Sequence, residues 1–371
     1  MKPTDISKKL GVSRTMVSRT ISAIRKENPI ETLTSLPGPE SLRAIMHAAK
    51  VAGAFDEGVR EALLPISLFA DMIQKQYGTR AAFNADLSVR NDDAKNRYEQ
   101  ASRYQVYNGM SQMLGVQCKA WVSCAILAPN KDDPTMLDRS SVFGASGLRR
   151  LRPDMPTRLA IGLGPRDITV AFPDREMAGV RPSRRLIDIN QYCAFPQAPT
   201  VTIDEGERVI EVFSPLMGDK ESVYDLLSGA YVPNSVPLCV WPRLTRRGNI
   251  AAPDVPASML NMDVLLHRDV VFGENPEAFV YNVGLTGTAR YDSKNWELNR
   301  VASNAKIQDL GTGLQNIGIN EVARYPDMVH HVCKEAGFDP SEFRAFRWRV
   351  EYPVFGFQYM LAFPVLKPEG E

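Results

Sequence analysis

Nine side chains near the start of the chain have the types and spacing that engage a polyanion: Ser13, Arg14, Thr15, Met16, Ser18, Arg19, Ser22, Arg25 and Lys26. Guanidinium, ammonium and hydroxyl groups donate to phosphate oxygens and to base edges, and no carboxylate stands among these residues to oppose them. The chemistry they offer is recognition of a nucleic-acid duplex rather than bond making. For it to work they must share the outer face of one helix, with Val17 and Ile21 forming the inner stripe at i, i+4 spacing.

Such a helix needs a partner and a sharp turn to set its angle. Gly11 is suited to the turn, because a residue without a Cβ tolerates positive φ. Counting from it, Ile6 and Leu10 face inward from a first helix, Val12 plugs the turn and Ser13 is the N-cap of the second helix. The run LGVSRTMVSRTISAIRKE resembles the recognition unit of winged-helix bacterial transcription regulators such as the MarR and LysR groups. Inner positions six and ten residues after the turn glycine match that variant. The resemblance covers only Thr4 to Lys26 and implies a module for double-stranded DNA. Domains of that kind carry a stabilising helix before the pair, whereas Met1 to Pro3 alone precede it here. Either a helix is supplied from downstream or the sequence begins inside the domain. Asn28 to Pro37 is expected to hold the strand and turn of a wing.

Charge is distributed to suit such a module. Residues 1–30 hold seven basic side chains (Lys2, Lys8, Lys9, Arg14, Arg19, Arg25, Lys26) and two acidic ones (Asp5, Glu27), although the whole chain is only +1. A basic end joined to a mildly acidic remainder keeps one part on a polyanion and the rest off it. With 371 residues, 44% hydrophobic and 23% charged, the chain is ordinary globular material of two or three domains. No apolar run reaches membrane-spanning length and no secretory signal is recognisable, so a cytoplasmic location without membrane contact is expected. The five cysteines (Cys118, Cys124, Cys193, Cys239, Cys333) are scattered without a C-x-x-C pair, against both a disulfide framework and a structural zinc site.

The expected fold class is α+β: a winged helix-turn-helix over 1–38, a helical connector over 39–88 and a mixed sensor-like body over 89–371. Ser35-Leu36-Pro37-Gly38-Pro39 marks the first break. Beyond it Leu42, Ile45, Met46 and Ala49, then Val59, Leu63, Ile66, Phe69 and Ile73, recur at helical spacing, with Pro65 expected to kink or split the second helix. These helices suit a homodimer contact or packing within their own domain. Asn91 to Leu114 reads as a further helix. Strands are expected at Gly115–Leu127, Thr157–Leu163, Ile168–Phe172, Thr200–Ile203, Arg208–Phe213, Pro237–Trp241, Asp263–Leu266, Phe279–Leu285, Ala345–Tyr352 and Phe357–Val365, with a hairpin turn over Asp204 to Glu207. In the first of them Cys118, Ala120, Val122 and Cys124 are expected on one face and Trp121 and Ala125 on the other. Ile307–Asn316 and Asn320–Glu335 read as helices, and the last two strands as a sheet edge packed by one helix.

The rest of the sequence offers little chemistry. It lacks phosphate-loop, dinucleotide-binding, nucleophile-elbow and H-E-x-x-H patterns, so no cofactor, metal or catalytic residue is assigned and the chain is not expected to be an enzyme. His330 and Cys333, beside His331, are three residues apart on one helix but lack further ligands nearby. Arg139, Arg149, Arg150, Arg152, Arg158, Arg166, Arg175, Arg181, Arg184 and Arg185 form a dense basic segment, interspersed with carboxylates. It could hold an anionic small-molecule effector or simply pair on the surface. Two classes of function follow: a transcription regulator whose body senses a small molecule or protein partner, or an enzyme or structural protein carrying a small DNA-tethering module.

Overall fold

A computed structural model describes residues 2–53, 56–89, 92–152, 157–161, 185–198, 201–204, 209–213, 222–238, 246–273, 275–283, 297–303 and 305–366. The chain divides into two compact units, Met1–Ser102 and Arg103–Glu371.

The first unit is helical: α1 (Pro3–Leu10), α2 (Arg14–Ile24), α3 (Pro29–Ser35), α4 (Pro39–Val51), α5 (Asp56–Met72) and α6 (Arg80–Val89), with a π turn over Ile73–Tyr77, and α7 (Asp92–Leu114) runs on across the boundary. Gly11 adopts φ 65° between α1 and α2, a left-handed conformation that residues with a Cβ rarely take. Ser7 Oγ closes the turn by donating to the Val12 carbonyl at 2.6 Å. Val17 and Ala23 of α2 and Leu42 and Ile45 of α4 are buried, and Ile21 is half-buried. A small core of Ile73, Phe83 and Leu87 receives Ile30 and Leu33 from α3 and Phe69 from α5. Pro65 lies inside α5 without ending it.

The expected wing is not formed. Asn28 accepts from the Ile30 amide at 2.9 Å and Pro29 occupies the first helical turn, so the residues read as a strand start instead cap and open α3. The described residues of this unit contain no strand.

The second unit is built from β1 (Val116–Pro129), β2 (Met136–Arg150), β3 (Thr157–Ile161), β4 (Arg185–Ile187), β5 (Val201–Asp204), β6 (Val209–Phe213), β7 (Val223–Pro237), β8 (Arg246–Ala251), β9 (Ala257–His267), β10 (Glu277–Asn282), β11 (Arg300–Val301), β12 (Ile307–Thr312), β13 (Phe343–Glu351), β14 (Phe357–Pro364) and α8 (Tyr325–Glu335). A seven-stranded sheet runs β12-β13-β9-β1-β2-β7-β4, with β1 and β9 parallel and the other pairs antiparallel. A four-stranded sheet runs β11-β10-β14-β8, and a three-stranded one β3-β6-β5. The main core holds Trp121, Leu260, Met262 and Trp348 of the first sheet together with Val280, Tyr359, Leu361 and Phe363 of the second. On the other face of the large sheet, Val122, Cys124, Ile126 and Leu265 pack beneath Met328, Val329, Val332 and Cys333 of α8. The fold class is therefore α+β, a helical region followed by mixed and antiparallel sheets.

Several local expectations change. Ile307–Thr312 is a strand, not a helix: Gly311 takes φ 80° at a register shift and Asp309 bonds to Arg344 on β13. The final two strands do not pair with each other, since β13 joins β9 and β12 while β14 joins β10 and β8. Their short connection crosses from one sheet to the other. The helix expected from Asn320 starts at Tyr325, with Pro326 in its first turn. In β1, Cys118 packs in the Trp121 cluster and not with Cys124. Val201–Asp204 and Val209–Phe213 pair in the antiparallel register of a hairpin. The strand expected over Ile168–Phe172 lies outside the described residues, as do Arg166, Arg175, Arg181, Arg184, Cys239 and Trp241.

Candidate nucleic-acid interface

Of the residues assigned to the interface, Ser13, Arg14, Thr15, Ser18, Arg19, Ser22, Arg25 and Lys26 are exposed and Met16 is half-buried. Ser13 occupies the N-cap position of α2, but its hydroxyl makes no capping bond and is left to the surface. Arg14, Thr15, Ser18, Arg19 and Ser22 all lie within α2, whose buried stripe of Val17 and Ala23 turns them outward. Arg25 and Lys26 follow directly. Lys26 pairs with Glu31 at 3.0 Å, so part of its charge is already neutralised within the unit. The carboxylate comes from α3, which the expected wing would have replaced.

One further cation of this unit is held by residues distant in sequence. Arg80, the first residue of α6, donates from Nη2 to the Leu33 and Leu36 carbonyls at 2.7 and 3.2 Å and from Nε to Asn84 Oδ1 at 3.0 Å. Its guanidinium lies 4.9 Å from the Phe69 ring and 5.2 Å from the Phe83 ring. Burial pushes its pKa down to about 10, and the nearby charge of Arg19 pushes it in the same direction. Nothing in the local sequence marks Arg80, since its partners are more than forty residues away in the case of Leu33 and Leu36.

The other candidate chemistry disperses. His330 is exposed whereas Cys333 is fully buried under the sheet, so the two do not converge on a common ligand. His331 Nε2 lies 3.1 Å from the Asp188 carbonyl and its ring packs on Tyr192. His330 borders a surface depression with Asp327 and Asp339, but Asp327 is paired with Arg324 and Asp339 accepts from the Ser341 amide and hydroxyl. Burial raises the thiol pKa values of Cys118, Cys124, Cys193 and Cys333, to about 11 for Cys193 and about 12 for Cys333, which disfavours the nucleophilic thiolate. Among the described residues no group of three or more His, Cys, Asp and Glu is placed to hold a metal ion.

The arginine-rich segment is split between elements. Arg139 bonds to Asn249 Oδ1 at 3.2 Å, and Arg185 packs on Tyr231 and pairs with Glu335. Trp121, Trp348, Tyr359 and Phe363 are core between the two larger sheets.

The class defined by these features is an α+β chain with an all-helical N-terminal unit that carries a basic, glycine-turned helix pair. No protein-family model matches the chain, and no curated protein matches it. Among solved structures, the crystal structure of "a putative protease" from Parabacteroides distasonis aligns at 8% identity and a TM-score of 0.26, covering 67% of this chain and 40% of that one. This chain thus spans less than half the length of that structure. No described helix is long and apolar enough to cross a membrane.

Proposed function

We propose that this protein is a DNA-binding transcriptional regulator that uses α1 and α2 as a helix-turn-helix without a wing. The observation that carries the reading is the turn itself: Gly11 at φ 65° separates two short helices, and the second presents Arg14 and Arg19 outward over a buried Val17. This is the arrangement in which a recognition helix enters a major groove. In support of this reading, α3 and α4, which follow the pair in sequence, pack against it. The regulator acts as a homodimer on double-stranded DNA, and its body takes a small-molecule effector, anionic in keeping with its arginines, or a protein partner. Such an effector acts by preferring the DNA-competent arrangement, since equal affinity for both arrangements shifts nothing.

Replacing both Arg14 and Arg19 by alanine is expected to weaken duplex binding. If both contact the backbone, the slope of log K against log salt should fall by roughly two phosphate equivalents. Anisotropy titrations at several salt concentrations read both quantities. Full affinity with an unchanged slope in the double variant would overturn the assignment. A homodimer should select pseudo-palindromic sites with half-sites about one helical turn apart. Random-site selection followed by sedimentation tests this, and a monomer on and off its selected DNA would refute it.

A further inference from the structure

The space between the two larger sheets is filled mainly by apolar side chains, yet a cation reaches into it. Arg139 lies on the inward face of β2, opposite Leu127 of β1, and its Nη2 crosses to the other sheet to donate to Asn249 Oδ1 of β8 at 3.2 Å. Its Nε is buried with no hydrogen-bond partner, and among the described residues Arg139 takes part in no ion pair. Asn249 is fully buried, and its Nδ2 donates to the carbonyl and hydroxyl of Ser123 at 2.9 and 3.0 Å. Ser141, two residues along β2 from Arg139 and therefore on the same face, is also buried. A second guanidinium, Arg247, stands two residues from Asn249 on the same face of β8, buried, with its Nη2 on the Pro237 carbonyl at 2.7 Å. Asp138 is the one carboxylate on β1, β2, β8 and β14, and it belongs to the opposite face, where the Tyr231 hydroxyl donates to it.

A charge in this position works against stability, since an apolar side chain would fill the same space without an orphaned donor. An oxyanion supplies what Arg139 lacks, an acceptor for Nε and a charge of opposite sign, and guanidinium forks recognise carboxylate and phosphate groups. Arg139 is only half-buried, which leaves it within reach of a solute. We propose that Arg139 and Ser141 of β2 and Asn249 of β8, supported by the charge of Arg247, form a binding site for a small oxyanion, a carboxylate or a phosphoryl group, between the two larger sheets. The site gives a place in the body to the anionic effector of the regulator proposed above. Only the name effector rests on that reading, because oxyanion binding needs no DNA.

The test follows thermal unfolding of the full chain by tryptophan fluorescence, in about 20 mM inorganic phosphate or malonate against chloride of equal ionic strength. With a dissociation constant of about 1 mM, the melting temperature of the unaltered protein should rise by about 4 °C. Both anions also stabilise proteins generally through exclusion from their surfaces, so the readout is the difference between the unaltered protein and its variants. Arg139→Gln is expected to lose most of the rise, and Arg139→Lys, which keeps the charge but not the Nε donor, to keep about half of it. A larger rise in phosphate identifies a phosphoryl ligand, and a larger one in malonate a carboxylate. Equal rises in the unaltered protein and Arg139→Gln, or no rise in either, would overturn the site. If Arg139→Gln does not fold, Arg139→Lys decides, and an undiminished rise there has the same meaning. Duplex binding is measured separately. A protein that takes up the anion through Arg139 but binds no DNA loses the regulator reading and keeps the site.

Discussion

Truncating Arg347 to alanine should lower the folding stability of the body by about 3–5 kcal/mol, the cost of leaving a buried charge without its partner. Asp263 is fully buried, and Arg347 grips it with Nε and Nη2 at 2.8 and 2.7 Å. Tyr325 donates its hydroxyl to the same carboxylate at 2.8 Å, and the remaining guanidinium donors reach the Gly318 and Ile317 carbonyls. One carboxylate thus ties β9, β13, the first residue of α8 and the loop before it. Burial, with the Asp263 charge beside it, raises the Tyr325 pKa well above its ordinary value, which keeps that hydroxyl a donor throughout the physiological range. Urea unfolding followed by tryptophan fluorescence isolates the effect, because Trp121, Trp241, Trp296 and Trp348 all lie beyond residue 102. A loss under about 1 kcal/mol would show that the pair is not the cross-brace it resembles. Changing Asp263 to Leu together with Arg347 to Met should recover a substantial part of the loss, since an apolar pair leaves no orphaned charge. Recovery stays incomplete because the Tyr325 hydroxyl is left without its acceptor.

Asp225→Ala is expected to be at least as costly, about 4 kcal/mol or more, because it orphans four donors that each carry roughly 1–3 kcal/mol of desolvation. Asp225 is fully buried on β7. One oxygen accepts from Ser146 Oγ at 2.8 Å and the Gly147 amide at 2.9 Å, and the other from the Ala194 and Phe195 amides at 2.9 and 3.1 Å. The first pair fills the irregularity between Ala145 and Leu148 in the β2–β7 ladder, and the second pins the loop that follows Tyr192. Hydrogen exchange at Gly147, Ala194 and Phe195 should accelerate together in the variant. Rapid exchange at only one of the two segments would mean that the carboxylate does not couple them. Asp225→Asn keeps one acceptor oxygen and should lose about half as much.

The glycine-turned helix pair was the most legible part of the chain. Gly11, the Val17 stripe and the outward arginines are related through fewer than ten residues of sequence, within the range over which helical periodicity operates. Asn28-Pro29 carried an equally local signal, an N-cap followed by a residue preset for the first helical turn, and the expectation of a wing came from the family resemblance instead. In the body, β2 and β7 escaped notice because serine, glycine and asparagine interrupt their apolar runs. Gly144, at φ 127°, sits where an added Cβ would lie 2.0 Å from the Leu226 carbonyl, so the close approach of β7 demands a residue that reads as a turn. The strand expected at Asp263–Leu266 proved longer, because its polar end at Asn261 is buried by neighbouring strands.

Local order in the residues was enough to define a glycine-turned helix pair, its basic outer face and the alternation of helical and strand-rich stretches, because backbone geometry and burial period depend on neighbours in the chain. The assignment of β13 and β14 to different sheets, the partners of Asp225 and Asp263, and the carbonyls that hold Arg80 were set by folding alone. Ser146 and Asp225 are 79 residues apart and Asp263 and Arg347 are 84 apart. A buried carboxylate and its donors leave no spacing pattern at such separations. Their pairing is selected by the cost of leaving either one alone in a core from which water is excluded.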